Sequence, residues 1–171
     1  MAAEGKEGCV EEAERYFREA VAADPSNVRN LGRYAVFLEH FCDDPGASDE
    51  YYRLALEVEP DNAHNLANYA AFLSTSKRDN VKAGEMLERA TAADPGNATV
   101  HSMRADYLEN IVGDVEGADA AHKSAVSLDP TCADALGGYA GFLFYTRGDA
   151  EAASTFYRQD AAENGVSSVH S

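Results

Sequence analysis

Glu59-Pro60-Asp61-Asn62-Ala63-His64-Asn65-Leu66-Ala67-Asn68-Tyr69-Ala70-Ala71-Phe72-Leu73 is the stretch that decides the fold. Pro60 has no N–H and biases the residue before it away from helix, so one helix stops there. Asn62 suits the N-cap of the next, because its side-chain oxygen accepts a bond from an orphan N–H of the first turn. Leu66, Tyr69, Ala70 and Leu73 then fall at i, i+3, i+4 and i+7, one face of a helix.

The same register recurs every 35 residues without a gap. Prolines stand at Pro25, Pro60, Pro95 and Pro130, each preceded by an acid (Asp24, Glu59, Asp94, Asp129). Asn27, Asn62 and Asn97 follow two residues later, with Cys132 breaking the series. The helix faces Leu31/Tyr34/Ala35/Leu38 and Leu136/Tyr139/Ala140/Leu143 repeat the pattern. Short polar turns rich in Asp and Gly lead into second helices. These carry a small–large–small pattern: Ala13/Phe17/Ala20, Ser48/Tyr52/Ala55, Ala83/Leu87/Ala90, Ala118/His122/Ala125 and Ala153/Tyr157/Asp160. Small residues let two helices approach, and the large one fills the gap. Such a period predicts an array of one supersecondary unit.

Composition narrows the functions. The 171 residues carry a formal charge of −16, which repels a phosphate backbone and argues against nucleic acid as the main ligand. Cys9, Cys42 and Cys132 are widely spaced and odd in number, so neither a disulfide framework nor a zinc pattern is expected; His40 and Cys42 lack a second ligand pair. There is no secretory h-region and no run of 18 apolar residues, so neither secretion nor a membrane span is expected. An intracellular, cytoplasmic location is the expectation. No nucleophile–base pair, phosphate loop or metal spacing occurs, so the chain is read as not an enzyme and as having no cofactor.

The full pattern, Leu66-x2-Tyr69-Ala70-x2-Leu73 followed by Ala83-x3-Leu87, Ala90 and Pro95, resembles the tetratricopeptide repeat. The resemblance covers residues 11–163. The half-repeat cousin used in RNA-processing scaffolds matches the Pro-x-Asn junction and the small residues less well. Two departures are a unit of 35 residues where the family has about 34, and Leu or His where it often has Trp. The resemblance implies an all-α, right-handed superhelical solenoid of about nine helices in antiparallel pairs. It implies a flexible segment 1–10, a half repeat 11–27, repeats 28–62, 63–97, 98–132 and 133–165, and a tail 166–171. It also implies a groove, lined by the first helix of each pair, that binds a peptide or helix of another protein.

Helical spacing assigns to that groove Arg29 and Arg33, then His64, Asn65 and Asn68, then Met103 and Asp106, then Gly138, Gly141 and Tyr145. Asn65 and Asn68 are expected to hydrogen-bond an extended backbone. The first of these helices is basic and the later ones acidic, so a partner with a basic segment is one expectation. The family's carboxylate clamp for chaperone tails would need Lys and Asn at Gly32, Val36, Asn68, Thr99 and Met103; only Asn68 matches, so no such binding is expected.

Three features break the pattern. His101 and Arg104 replace Leu and Tyr on the third such helix; a small rotation that brings in Val100 and Met103 and lets Arg104 reach water is expected. Gly137, Gly138 and Gly141 lie in one helix, which suggests a close approach to its backbone, as by a partner helix. Tyr16 and Phe17 have no helix before them. That predicts an open edge, so self-association or a role as a structural subunit of a larger assembly is the alternative to groove binding.

Overall fold

The computed structural model describes residues 2–165. Among these the chain forms α1 (Ala2–Ala23), α2 (Val28–Phe41), α3 (Pro45–Val58), α4 (Ala63–Phe72), α5 (Asn80–Ala93), α6 (Ala98–Tyr107), α7 (Val115–Leu128), α8 (Ala133–Tyr145) and α9 (Ala150–Gly165). Helices α4 and α6 continue into π-helical turns at Leu73–Lys77 and Leu108–Val112. No strand occurs among the described residues. The fold is all-α. It divides into two compact units, one ending at Ala93 and holding α1–α5, the other starting at Asp94 and holding α6–α9.

Helix starts follow the junctions. Asn27, Asn62 and Asn97 each accept from the backbone N–H three residues on, at 3.0–3.1 Å. Cys132 holds the same extended backbone but makes no side-chain cap.

A second set of caps falls at the same period. Asp44, Asp79, Asp114 and Asp149 accept from Ala47, Lys82, Gly117 and Ala152 at 2.9–3.1 Å. The N–H groups of these four acids also donate back to Leu38, Leu73, Leu108 and Leu143. The residue before each acid is left-handed: Asp43, Arg78, Gly113 and Gly148 have φ of 50–77°. Together these form the left-handed C-terminal cap that satisfies orphan carbonyls. One acid thus closes one helix and opens the next.

In the first unit α2 contributes Leu31, Tyr34, Ala35, Phe37 and Leu38 to the core. Phe17 of α1 packs on Tyr34 and Phe37, with ring centroids 5.5 and 4.9 Å apart. Phe17 is thus half-buried against α2, the helix that follows it, and Tyr16 is exposed. Tyr52 is fully buried against Tyr69 and Phe72. Residues 2–10 of the segment expected to be flexible belong to α1. Its Ala, Glu and Lys are good helix formers, and they outweigh two helical glycines that cost about 1 kcal/mol each.

In the second unit Tyr139, Phe142 and Leu143 of α8 pack with Ala118 and Ala153. Phe156 fills the aromatic place on α9, 4.9 Å from Tyr139, while Tyr157 is exposed. Helix α6 buries Ala98, Val100, Ser102 and Ala105. His101 and Arg104 stay half-buried, as does Met103, and His101 Nε2 lies 3.0 Å from the Pro95 carbonyl. The expected tail 166–171 lies outside the described residues.

Candidate functional site

Helices α2 and α4 frame a cleft of about 750 Å³ in the first unit. Its lining includes Arg29, Arg33, His64, Asn65 and Asn68, all the residues assigned to this region from spacing, with Asp24 and Glu59 among the rest. The residues one turn apart on α2 project together, since i and i+4 share a face. Arg29 and Arg33 are exposed, and neither has an ion-pair partner among the described residues. His64 Nε2 and Asn68 Nδ2 are 3.0 Å apart.

Asn65 departs from its expected role. It is buried, and its Nδ2 donates to the Val28 carbonyl at 3.3 Å. A Cβ on Gly32 would collide with Asn65 Oδ1. Gly32 is therefore required so that α2 can approach the Asn65 amide, and Asn65 joins α4 to α2 instead of offering both its donors to a ligand.

The second unit brings Asp106 together with two residues that spacing did not assign. His122 of α7 is wholly buried, between Tyr139 and Phe142 at 5.6 and 5.2 Å. Among the described residues neither of its ring nitrogens has a hydrogen-bond partner. Its Nε2 lies 4.0 Å from Asp106 Oδ1, beyond hydrogen-bond reach. Glu109, one turn after Asp106, completes the group and accepts a bond from Thr146 Oγ1. Partial loss of solvent around a side chain that still reaches the surface, then the charges of Glu109 and Asp134, raise the Asp106 carboxyl to about 6. Burial also pushes the His122 imidazole below its ordinary value, which favours the neutral ring.

Gly138 borders this group. A Cβ there would stand 2.9 Å from Ser102 Oγ and 3.3 Å from His122 Cε1. What approaches the α8 backbone here is the chain's own α6 and α7, where an approach from outside was expected. Gly137 has nothing within 4 Å and Gly141 only Tyr157 Oη at 4.0 Å. Tyr145 is 81% exposed and meets Phe144 edge-on at 5.0 Å.

Spacing along one helix could not find His122, because it comes from α7; Glu109 lies three residues after Asp106 on the same helical run. A signal was present in the repeat register: position 122 holds His where its counterparts hold Phe17, Tyr52, Leu87 and Tyr157.

No protein-family model matches the chain, and no curated protein matches it. Solved structures do match. A thermophilic TPR protein of Thermus thermophilus superposes with a TM-score of 0.78 at 17% identity, over 92% of this chain and 84% of that one. PilF of Pseudomonas aeruginosa gives 0.70 at 24% identity, over 92% and 70%. PilW, described as a widely conserved type IV pilus biogenesis factor, gives 0.72 at 19% identity, over 91% and 70%. At these identities the likeness establishes the fold. No helix among the described residues is long and apolar enough to cross a membrane.

Proposed function

We propose that this chain, which has the tetratricopeptide-repeat fold, is a non-catalytic protein-binding module whose α2–α4 cleft takes an extended segment of another protein. The cleft's two exposed cations, neither in an ion pair among the described residues, carry the reading. Arg29 and Arg33 stand one turn apart on an otherwise acidic chain, and the site is too polar for a purely apolar helix face. Planar guanidinium groups recognise carboxylates in two-point fashion, so the segment carries an acidic side chain or a C-terminal carboxylate. Asn68 supplies an amide for the segment's backbone. Stacked helical repeats offer such extended surfaces as a class.

The acidic residues Asp106 and Asp134 of the second unit suit a basic side chain of a partner. Self-association through α1 is the second reading. It now rests on Tyr16, 56% exposed, since Phe17 packs inward.

A peptide library displayed on phage, panned against the whole chain, tests the first reading. Enriched peptides should be acidic, and Arg29→Glu with Arg33→Glu should abolish their binding in fluorescence polarisation. Peptides that bind wild type and variant equally would remove the cleft from consideration. Sedimentation at high concentration, with Tyr16→Ala, tests the second.

A further inference from the structure

We propose that Asp106, Glu109 and His122 form a site for a divalent transition-metal ion, with Zn²⁺ as its natural occupant. One ligand atom from each, a carboxylate oxygen from Asp106 and Glu109 and Nε2 from His122, all lie within 4.8 Å of one another. A zinc ion with bonds of about 2.0–2.2 Å holds its ligands roughly 3–3.5 Å apart. Small rotations of the two acidic side chains close the set, and both reach the surface, so nothing in the core has to move.

The buried imidazole is the independent observation. A wholly buried histidine with both ring nitrogens unpartnered is costly unless something occupies one of them. Nε2 lies 4.0 Å from Asp106 Oδ1, and an ion between the two would satisfy it. Neutral imidazole suits transition metals, and hard Mg²⁺ or Ca²⁺ would be expected to choose all-oxygen sites.

The repeat supplies a second line of argument. A structural role at position 122 asks only for an apolar filler, as Phe17, Tyr52 and Leu87 provide at the matching positions. Position 106 is Val36, Ala71 and Gly141 in the other repeats. The chain departs from its own pattern at both positions in one repeat, and the two departures meet in space. Thr146 Oγ1 holds Glu109 Oε1, the kind of outer contact that orients a metal ligand. Gly138 leaves room beside the imidazole edge at Cε1. Three protein ligands leave a further coordination position for water or for a partner's side chain.

The test uses the full chain, freed of metal with a chelator and titrated with Co²⁺ as the spectroscopic probe. One equivalent should give visible absorption of nitrogen–oxygen coordination, and Zn²⁺ should displace it. Imidazole-detected NMR should show the His122 Nε2 resonance shifting on Zn²⁺ addition. His122→Phe restores the filler used in other repeats. It should stay folded by circular dichroism and lose the Co²⁺ spectrum. Asp106→Asn and Glu109→Gln should weaken binding by about a hundredfold or more, and His40→Ala should leave it unchanged. No Co²⁺ spectrum with wild type, or a spectrum that survives His122→Phe, overturns the proposal.

Discussion

Tyr139 donates its hydroxyl to Asp119 Oδ1 at 3.0 Å, joining α8 to α7 across 20 residues of chain. Tyr69 does the same to Asp49 at 2.9 Å, and Tyr34 reaches Glu14 at 3.5 Å, each again 20 residues back. In three of the helix pairs a tyrosine thus packs its ring in the core and anchors its hydroxyl on the preceding helix, while the pair opened by α6 has Arg104 at that place. Tyr139→Phe keeps the ring and removes the bond. It should destabilise the chain by about 1–1.5 kcal/mol, because the acceptor is charged but near solvent. A double-mutant cycle with Asp119→Asn, read by urea unfolding, should return a coupling of about 1 kcal/mol.

The same carboxylate sets a pH response. Burial alone would raise the Asp119 pKa. Hydrogen bonds from Lys123 and Tyr139, with the charges of Lys123 and Arg147, outweigh it and hold the group below its ordinary value. The folded state therefore binds this proton less readily than the unfolded state, whose carboxyl titrates near about 3.9. The resulting stability is present above that value and is lost as pH falls through the lower folded value. Asp119→Asn should lose less stability than wild type between neutral pH and about pH 3. Urea midpoints at the two pH values check this. Equal losses in both proteins would show that Asp119 is not responsible.

Gly137 and Gly138 are adjacent in α8 and should respond oppositely to alanine. Gly137→Ala meets open space and should stabilise by about 0.5–1 kcal/mol through helix propensity alone. Gly138→Ala must push aside Ser102, whose hydroxyl is bonded to the Asp134 carbonyl at 3.1 Å, or the imidazole packed between two rings. Overpacking should outweigh the propensity gain and leave a net loss of about 1 kcal/mol. Thermal unfolding of the two variants measures the contrast, and a stabilised Gly138→Ala would show that the ring and hydroxyl yield easily.

Cys132 holds the backbone of an N-cap without capping. Its φ and ψ of −68° and 113° match those of Asn62 at −72° and 102°. Cys132→Asn should therefore gain the bond its three counterparts make and stabilise by about 0.5–1 kcal/mol. An unchanged melting temperature would mean that the thiol contact with Thr99 Oγ1, at 3.7 Å, is worth as much as the cap.

How far the sequence could be read depended on the range of the interaction. Helix starts at Asn27, Asn62 and Asn97 were legible because proline and cap act within four residues. The acids at 44, 79, 114 and 149 read only as turn residues, though each also closes the helix before it. Arg29, Arg33, His64 and Asn68 line one cleft because i, i+4 spacing and the repeat period place them there. Asn65 was misread because its bond goes to Val28, 37 residues away, and spacing does not report which way an amide points. Asp106 stood out by spacing, but the imidazole facing it comes from another helix.

The tyrosine–acid bond, always 20 residues long, makes chain length an adjustable quantity. Every hydrogen bond between helices that has been named above spans 37 residues or fewer. Copying residues 28–62 and inserting the copy after residue 62 would set the new tyrosine opposite Asp49 and the new acid opposite Tyr69. No existing bond would lose its register. Growth or loss of whole repeats is a change that keeps the spacing of these bonds while exchanging the residues that make them.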